Sequence, residues 1–112
     1  MNIKKVFLAS DHAGFLLKEV ISKFLKKKGI KILDLGPKNE NSVDYPDYAH
    51  SLAKKVAKQK NNMGILVCGS GEGMIMAANK HKNIRAALCY NQRSTKLSRL
   101  HNNANIIAIV QD

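Results

Sequence analysis

Short apolar runs alternate with longer amphipathic stretches along this chain, and the alternation predicts strands and helices in strict succession. Residues 3–9 read as a first strand. Leu16, Leu17, Val20, Ile21, Phe24 and Leu25 recur at three- and four-residue spacing ahead of Gly29, which predicts a helix over 14–28. A second strand over 30–35 runs into Gly36-Pro37 and a polar loop to Asp44, the longest loop in the chain and the segment best suited to contact a ligand. A helix from Pro46 or Asp47 to Lys60 follows, with Tyr48, Leu52 and Val56 on one face and proline suited to its first turn. The remainder reads as strand 63–68, helix 74–81, strand 84–89, helix 92–101 and strand 105–110.

This order predicts a single α/β domain whose sheet is mostly parallel and covered by helices on both faces. No repeat or low-complexity linker interrupts it. Right-handed crossovers place every strand-to-helix turn on the carboxyl edge of the sheet, where ligands of such folds bind. Ser10-Asp11-His12, the turn over 69–73 and Tyr90-Asn91 therefore share one rim, whereas His101-Asn102-Asn103 falls at the opposite edge. His101 can reach chemistry on the rim only if a second protomer supplies it.

Composition narrows the function classes. The 112 residues carry a formal net charge of +11, mostly from lysines clustered at 23–28 and 54–60. Those clusters fall in the last turns of helices, where cations complement the helix dipole and remain solvated. The excess also suits steering of an acidic ligand such as a phosphate ester, or loose contact with nucleic acid. Specific nucleic-acid reading is not expected, for want of zinc-ligand spacing or a recognition motif. Two cysteines, no signal peptide and no run of about 18 apolar residues predict a cytoplasmic protein with free thiols and no membrane contact. Cys68 and Cys89 each end a strand, so a disulfide between neighbouring strands stays open.

The chemistry-bearing segment is Cys68-Gly69-Ser70-Gly71-Glu72-Gly73. Its glycines let the backbone turn and bare N–H groups, and the helix behind adds its positive end, so the turn forms an anion-binding nest. The same donors are expected to lower the pKa of Cys68 and make it a base or nucleophile. A small buried residue closing a strand fits the cysteine equally well. The segment lacks the Lys-Ser/Thr ending of a P-loop and the dinucleotide glycine spacing. Asp11 suits a helix cap as well as a catalytic carboxylate. Glu72 is expected to face solvent, and His50 and His81 read as surface histidines without metal-ligand spacing.

Five motifs occur here in one order: Ser10-Asp11-His12-Ala13-Gly14, Asp44-Tyr45-Pro46-Asp47-Tyr48-Ala49, the Cys68 turn with Ala77-Ala78-Asn79-Lys80, Ile84-Arg85-Ala86-Ala87, and Ser98-Arg99-Leu100-His101-Asn102-Asn103-Ala104-Asn105. Together they closely resemble the ribose-5-phosphate isomerase B family, which includes allose-6-phosphate and galactose-6-phosphate isomerases. The resemblance implies an α/β/α sandwich around a five-stranded parallel Rossmann-like sheet. It also implies dimers or tetramers of dimers with a site shared between protomers, and a metal-free, cofactor-free aldose–ketose isomerisation of a sugar phosphate.

Residue by residue, the resemblance makes Cys68 the base that moves the proton from C2 to C1; Met74 stands where some relatives place a glutamate base. Ser70 with the N–H groups of Gly69, Gly71 and Gly73 would hold the enediolate oxygens. Asp11 and His101 match ring-opening residues, Tyr45 and Asn102 sugar contacts, and His12 a phosphate contact. The family continues past its fifth strand with a Gly-x-Arg segment and a helix whose arginines clamp the phosphate. Here Val110-Gln111-Asp112 closes the sequence, so the domain reads as truncated after that strand, and His12, Arg85 or nearby lysines are expected to hold the phosphate. A five-carbon substrate is the leading expectation; a six-carbon sugar phosphate, or an inert binding or assembly subunit, remains open.

Overall fold

The computed structural model describes residues 5–39, 44–69 and 71–110. Its nine elements follow in the order β1 (Lys5–Ser10), α1 (Phe15–Lys27), β2 (Ile32–Asp34), α2 (Tyr45–Ala57), β3 (Asn62–Cys68), α3 (Glu72–Ala78), β4 (Ala86–Cys89), α4 (Gln92–Asn102) and β5 (Ile106–Val110). All strand pairs are parallel, and the sheet order is β2-β1-β3-β5-β4. The central strands are apolar on both faces, as a doubly covered parallel sheet requires: Val6 to Ser10 are all buried on β1, and Leu66, Val67 and Cys68 on β3.

α1 packs on β1, β2 and β3, and α2 packs on β1, β3 and α3, while α3 and α4 pack on β4. Right-handed crossovers set α2 and α3 on one face and α1 and α4 on the other. The main core lies under α2 and α3, where Ala49, Leu52, Ala53, Val56, Met74, Ala77 and Ala78 meet Phe7, Ala9, Leu66, Ile106 and Ala108.

The helices fall where the periodicity puts them, with shifted ends. α2 begins at Tyr45 and stops at Ala57, and α3 runs from Glu72 only to Ala78. Helix α1 differs more. Of its apolar arc, Leu16, Val20 and Phe24 are exposed, while the residues buried against the sheet are Lys18 and Ser22. The arc is wider than the sheet can cover, and one of its two edges stays open to solvent. Cys68 and Cys89 are both free and buried, and β5 separates their strands. Among the described residues no helix is long and apolar enough to cross a membrane.

Candidate active site

Strand β3 delivers Cys68 to the carboxyl edge, where its side chain is 1% exposed. The thiol points at the Ile109 carbonyl, with Sγ 3.8 Å from that oxygen. The chain then turns through Gly71, whose φ of +88° suits glycine, into α3. The space at Gly71 is as restrictive as its conformation. A Cβ there would lie 3.4 Å from the Cys68 sulfur and 2.5 Å from Leu88 Cδ1, so only a bare backbone passes between thiol and sheet.

Asp11 spans the rim between the two strand ends. Its Oδ1 accepts from the Gly14 N–H at 2.8 Å, turning the chain into α1, and its Oδ2 accepts from the Gly69 N–H at 3.1 Å. The carboxylate thus closes the turn that leads into α1, rather than capping the helix itself, and braces the Cys68 turn at once. One donor assigned to an anion, the Gly69 N–H, is held by Asp11 in the ligand-free chain.

That arrangement reverses the expected acidity of the thiol. Burial, and secondarily the negative charge of Asp11, push Cys68 up to about 12 from its ordinary 9.0. The expected lowering fails because the sulfur is desolvated, the nearest carboxylate is aimed at its turn, and α3 is only 7 residues long. In the ligand-free state Cys68 is a thiol.

Tyr45, the first residue of α2, reaches the same rim. A Cβ on Gly73 would lie 2.5 Å from the Tyr45 hydroxyl oxygen, so that glycine makes room for the phenol. His12 is exposed beside Asp11, and Glu72 is exposed as expected. Ser70 lies outside the described residues. Cys68, Asp11, Gly69, Gly71, Gly73, Tyr45 and His12 therefore share one edge.

His101 and Asn102 do not. Both are exposed in the last turn of α4, which starts at the carboxyl edge and descends to the other. Arg85, expected as a phosphate ligand, does not reach this rim within one chain either. It precedes β4 at the amino edge, where its Nε donates to the Asn103 carbonyl at 2.9 Å. A cavity of about 420 Å³ opens on that edge, lined by Asn62, Arg85, Arg99, Asn103 and Asn105 among others. Asn62 begins the strand that Cys68 ends, so cavity and thiol stand about 20 Å apart at 3.3 Å per residue.

Two further polar arrangements escape the periodicity. His50 on α2 and His81 beyond α3 are not separate surface groups: their ring nitrogens approach to 2.7 Å, edge to face. Lys18, 1% exposed, ion-pairs with Asp34 at 2.7 Å and with Glu19 at 3.0 Å. Lys18 lies just outside the α1 apolar arc, three residues from Phe15 and from Ile21, and a lysine on that buried side must find a carboxylate or leave the core.

The fold and the rim define a parallel α/β protein whose thiol, carboxylate and glycine turn are gathered at the carboxyl ends of the two central strands. The chain belongs to the ribose/galactose isomerase family, whose model matches residues 6–112. The ribose-5-phosphate isomerase B of Escherichia coli is 42% identical over 106 residues, covering 95% of this chain and 71% of that protein. The crystal structure of a ribose 5-phosphate isomerase from Thermotoga maritima superposes with a TM-score of 0.91 at 46% identity, covering 96% of this chain and 74% of that one. The Mycoplasma genitalium ribose-5-phosphate isomerase B, solved with bound ribulose-5-phosphate, matches with a TM-score of 0.92 at 44% identity over 96% of this chain and 72% of that one.

Proposed function

We propose that this chain interconverts ribose 5-phosphate and ribulose 5-phosphate through an enediolate, with Cys68 as the base. The observation that carries the reading is the placement of Cys68 against the bare backbone of Gly71, with Asp11 bound to the very next N–H. It is supported by the bound ribulose-5-phosphate of the Mycoplasma genitalium relative.

The geometry suggests how the steps connect. Ring opening needs a proton taken from the anomeric hydroxyl and one given to the ring oxygen. Asp11 serves the first, and His101 of a second copy the second. A sugar hydroxyl engaging Asp11 Oδ2 draws it from the Gly69 N–H, and that donor then serves an enediolate oxygen, stabilising charge that develops only toward the transition state. Neutralising Asp11 also removes one of the two causes that hold the Cys68 proton in place. Cys68 gives its own proton up to solvent, and the thiolate so favoured takes the C2 proton while Asp11 hands its proton to O1; Cys68 then returns its proton to C1 as O2 gives its own to Asp11. Ser70, Gly71 and Gly73 complete the oxyanion site, Tyr45 and Asn102 contact the sugar, and His12 contacts the phosphate.

Because His101 and Asn102 lie at the opposite edge from Cys68 within one chain, the reading requires a homodimer or a larger assembly with a shared site. The test is direct: incubate purified protein with ribose 5-phosphate and follow ribulose 5-phosphate, with the six-carbon aldose phosphates alongside. Turnover of the pentose ester supports the assignment, preference for a hexose ester moves the substrate class, and no turnover of any ester overturns it.

A further inference from the structure

Lys18 is the largest fully buried side chain among the described residues, and the isomerisation steps above do not use it. It sits in the second turn of α1, 5.1 Å from the Phe15 ring centroid, with Asp34 at the end of β2 as its closest partner. Asp34 divides its two oxygens. Oδ2 takes the ammonium at 2.7 Å, and Oδ1 accepts from the Gly36 N–H at 2.9 Å.

Gly36 is the bend at which the chain leaves β2 for the long loop. Its φ is +109°, and a Cβ on it would come within 3.1 Å of the Tyr48 ring. Its carbonyl accepts from the Ser10 N–H at 3.1 Å, adding a contact beyond the β1–β2 ladder. Ser10 is the residue before Asp11, whose own N–H bonds to the Val67 carbonyl at 3.2 Å. A continuous path of short contacts therefore runs Lys18–Asp34–Gly36–Ser10 and ends on the main chain that aims Asp11.

The two ends of the Lys18–Asp34 pair differ in their access to water. Lys18 is 1% exposed and Asp34 33% exposed. A carboxylate with that much access turns outward to hydrate unless it is held, and of its two partners the buried ammonium at 2.7 Å makes the charge-assisted and stronger contact. Once Asp34 turns out, the Gly36 N–H loses its acceptor and the bend loses its anchor. Lys18 also costs more to bury than a leucine in the same place, so a helix that needed only packing has no use for a lysine there.

We propose that Lys18 is a positioning residue of the isomerase site: by holding Asp34 inward it fixes the Gly36 bend, and through the Ser10 main chain it sets where Asp11 stands. The inference rests on the isomerase reading for its kinetic consequence but not for its structural one, and the experiment separates the two.

The variant is Lys18→Met, which keeps the stem and removes the charge. Amide exchange read by NMR on the whole chain should show protection at Gly36 and Ser10 falling by at least tenfold, with Leu66 and Val67 unchanged. In the same protein kcat for ribose 5-phosphate should fall about tenfold. Adding Asp34→Asn to that variant should restore both by threefold or more, because a neutral amide has little drive to turn outward and its oxygen still accepts from Gly36. A side chain that serves packing alone gains nothing from the second change.

Unchanged protection in Lys18→Met, unchanged kcat despite lost protection, or no recovery in a folded double variant each overturns the proposal. If the wild-type chain shows no turnover while the exchange pattern shifts and recovers as stated, the isomerase reading fails and the anchoring of Gly36 and Ser10 by Lys18 stands.

Discussion

The two edges of the sheet use the same kinds of polar group to opposite ends. At the amino edge, side chains close off backbone groups that the strands and helices leave unpaired. Arg85 and Arg99 donate to the carbonyls of Asn103 and Ala104, Asn105 bridges the Arg85 N–H and the Asn83 carbonyl, and Asn79 does the same for both backbone groups of Ala86. At the carboxyl edge, Asp11 also bonds to backbone, but its partners are the N–H groups of two turns at the strand ends, Gly14 and Gly69. A ligand hydroxyl can replace a turn N–H at little cost, whereas the guanidinium bonds at helix ends hold the fold itself together. The difference explains why the cavity of about 420 Å³ at the amino edge is not where the chemistry is placed.

The sharpest way to break this comparison is at Cys68. Replacing it with serine leaves size and burial almost unchanged and removes the base, since a hydroxyl is far harder to ionise. Turnover of ribose 5-phosphate should drop by about 10³-fold or more, within the range for loss of a proton-transferring group. Cys89→Ser, at another strand end but without a glycine turn beside it, should stay within a factor of about two, as expected away from the reacting atoms. Comparable losses in the two would show that the rim is not special.

The next effect tests whether the two edges meet between copies. Chains carrying Cys68→Ser and chains carrying His101→Asn should each be inactive alone. Mixed in equal amounts and allowed to exchange, half of all dimers pair one with the other, and one of their two sites is intact, so about a quarter of wild-type activity returns. Absence of recovery after subunit exchange has been verified by mass spectrometry would remove His101 from the site.

A smaller and quite specific effect concerns the acidity of the thiol. Alkylation of Cys68 by iodoacetamide should rise about tenfold per pH unit between pH 7 and 10 without levelling, because the thiolate is scarce until near pH 12. Asp11→Asn removes the secondary cause and should move the whole curve to lower pH while burial keeps it above the ordinary range. A plateau below pH 9 in the unmodified chain would contradict the buried, carboxylate-facing thiol described here.

Much of this was legible in the sequence. Alternating apolar runs gave all nine elements, because strands buried on both faces and helices with a single buried stripe leave different periods. The rim followed from handedness alone, and with it the separation of His101 from Cys68. What escaped was every feature that depends on which two distant side chains meet. Nothing local distinguishes His50 and His81 from solvated histidines, and the glycine turn gives no sign that Asp11 occupies the Gly69 N–H. The acidity of Cys68 departs from the sequence expectation for the same reason: N–H donors and a helix end are visible in sequence, while burial and a carboxylate 57 positions away are not.

The histidine pair supplies the mildest test, and it contrasts the α2–α3 layer with both edges. At 2.7 Å one ring nitrogen must donate and the other accept, so the pair holds with at least one ring neutral. His81 is lowered from its ordinary 6.5, first by burial and then by the charges of His50 and Lys54. A folded pKa below the unfolded one means that this contribution is present above about pH 6.5 and is lost as pH falls through the folded value. Both rings are partly open to solvent, so the effect should stay at or below about 1 kcal/mol, the net worth of one hydrogen bond. The measurement is urea unfolding at pH 7.5 and pH 5 for the natural chain and for His81→Gln. The natural chain should lose more stability on acidification than the variant, and isomerase turnover at pH 7.5 should be alike in both. Equal acid sensitivity would mean that the two rings do not share a proton, and a turnover defect in His81→Gln would mean that the α2–α3 contact reaches Tyr45 at the rim.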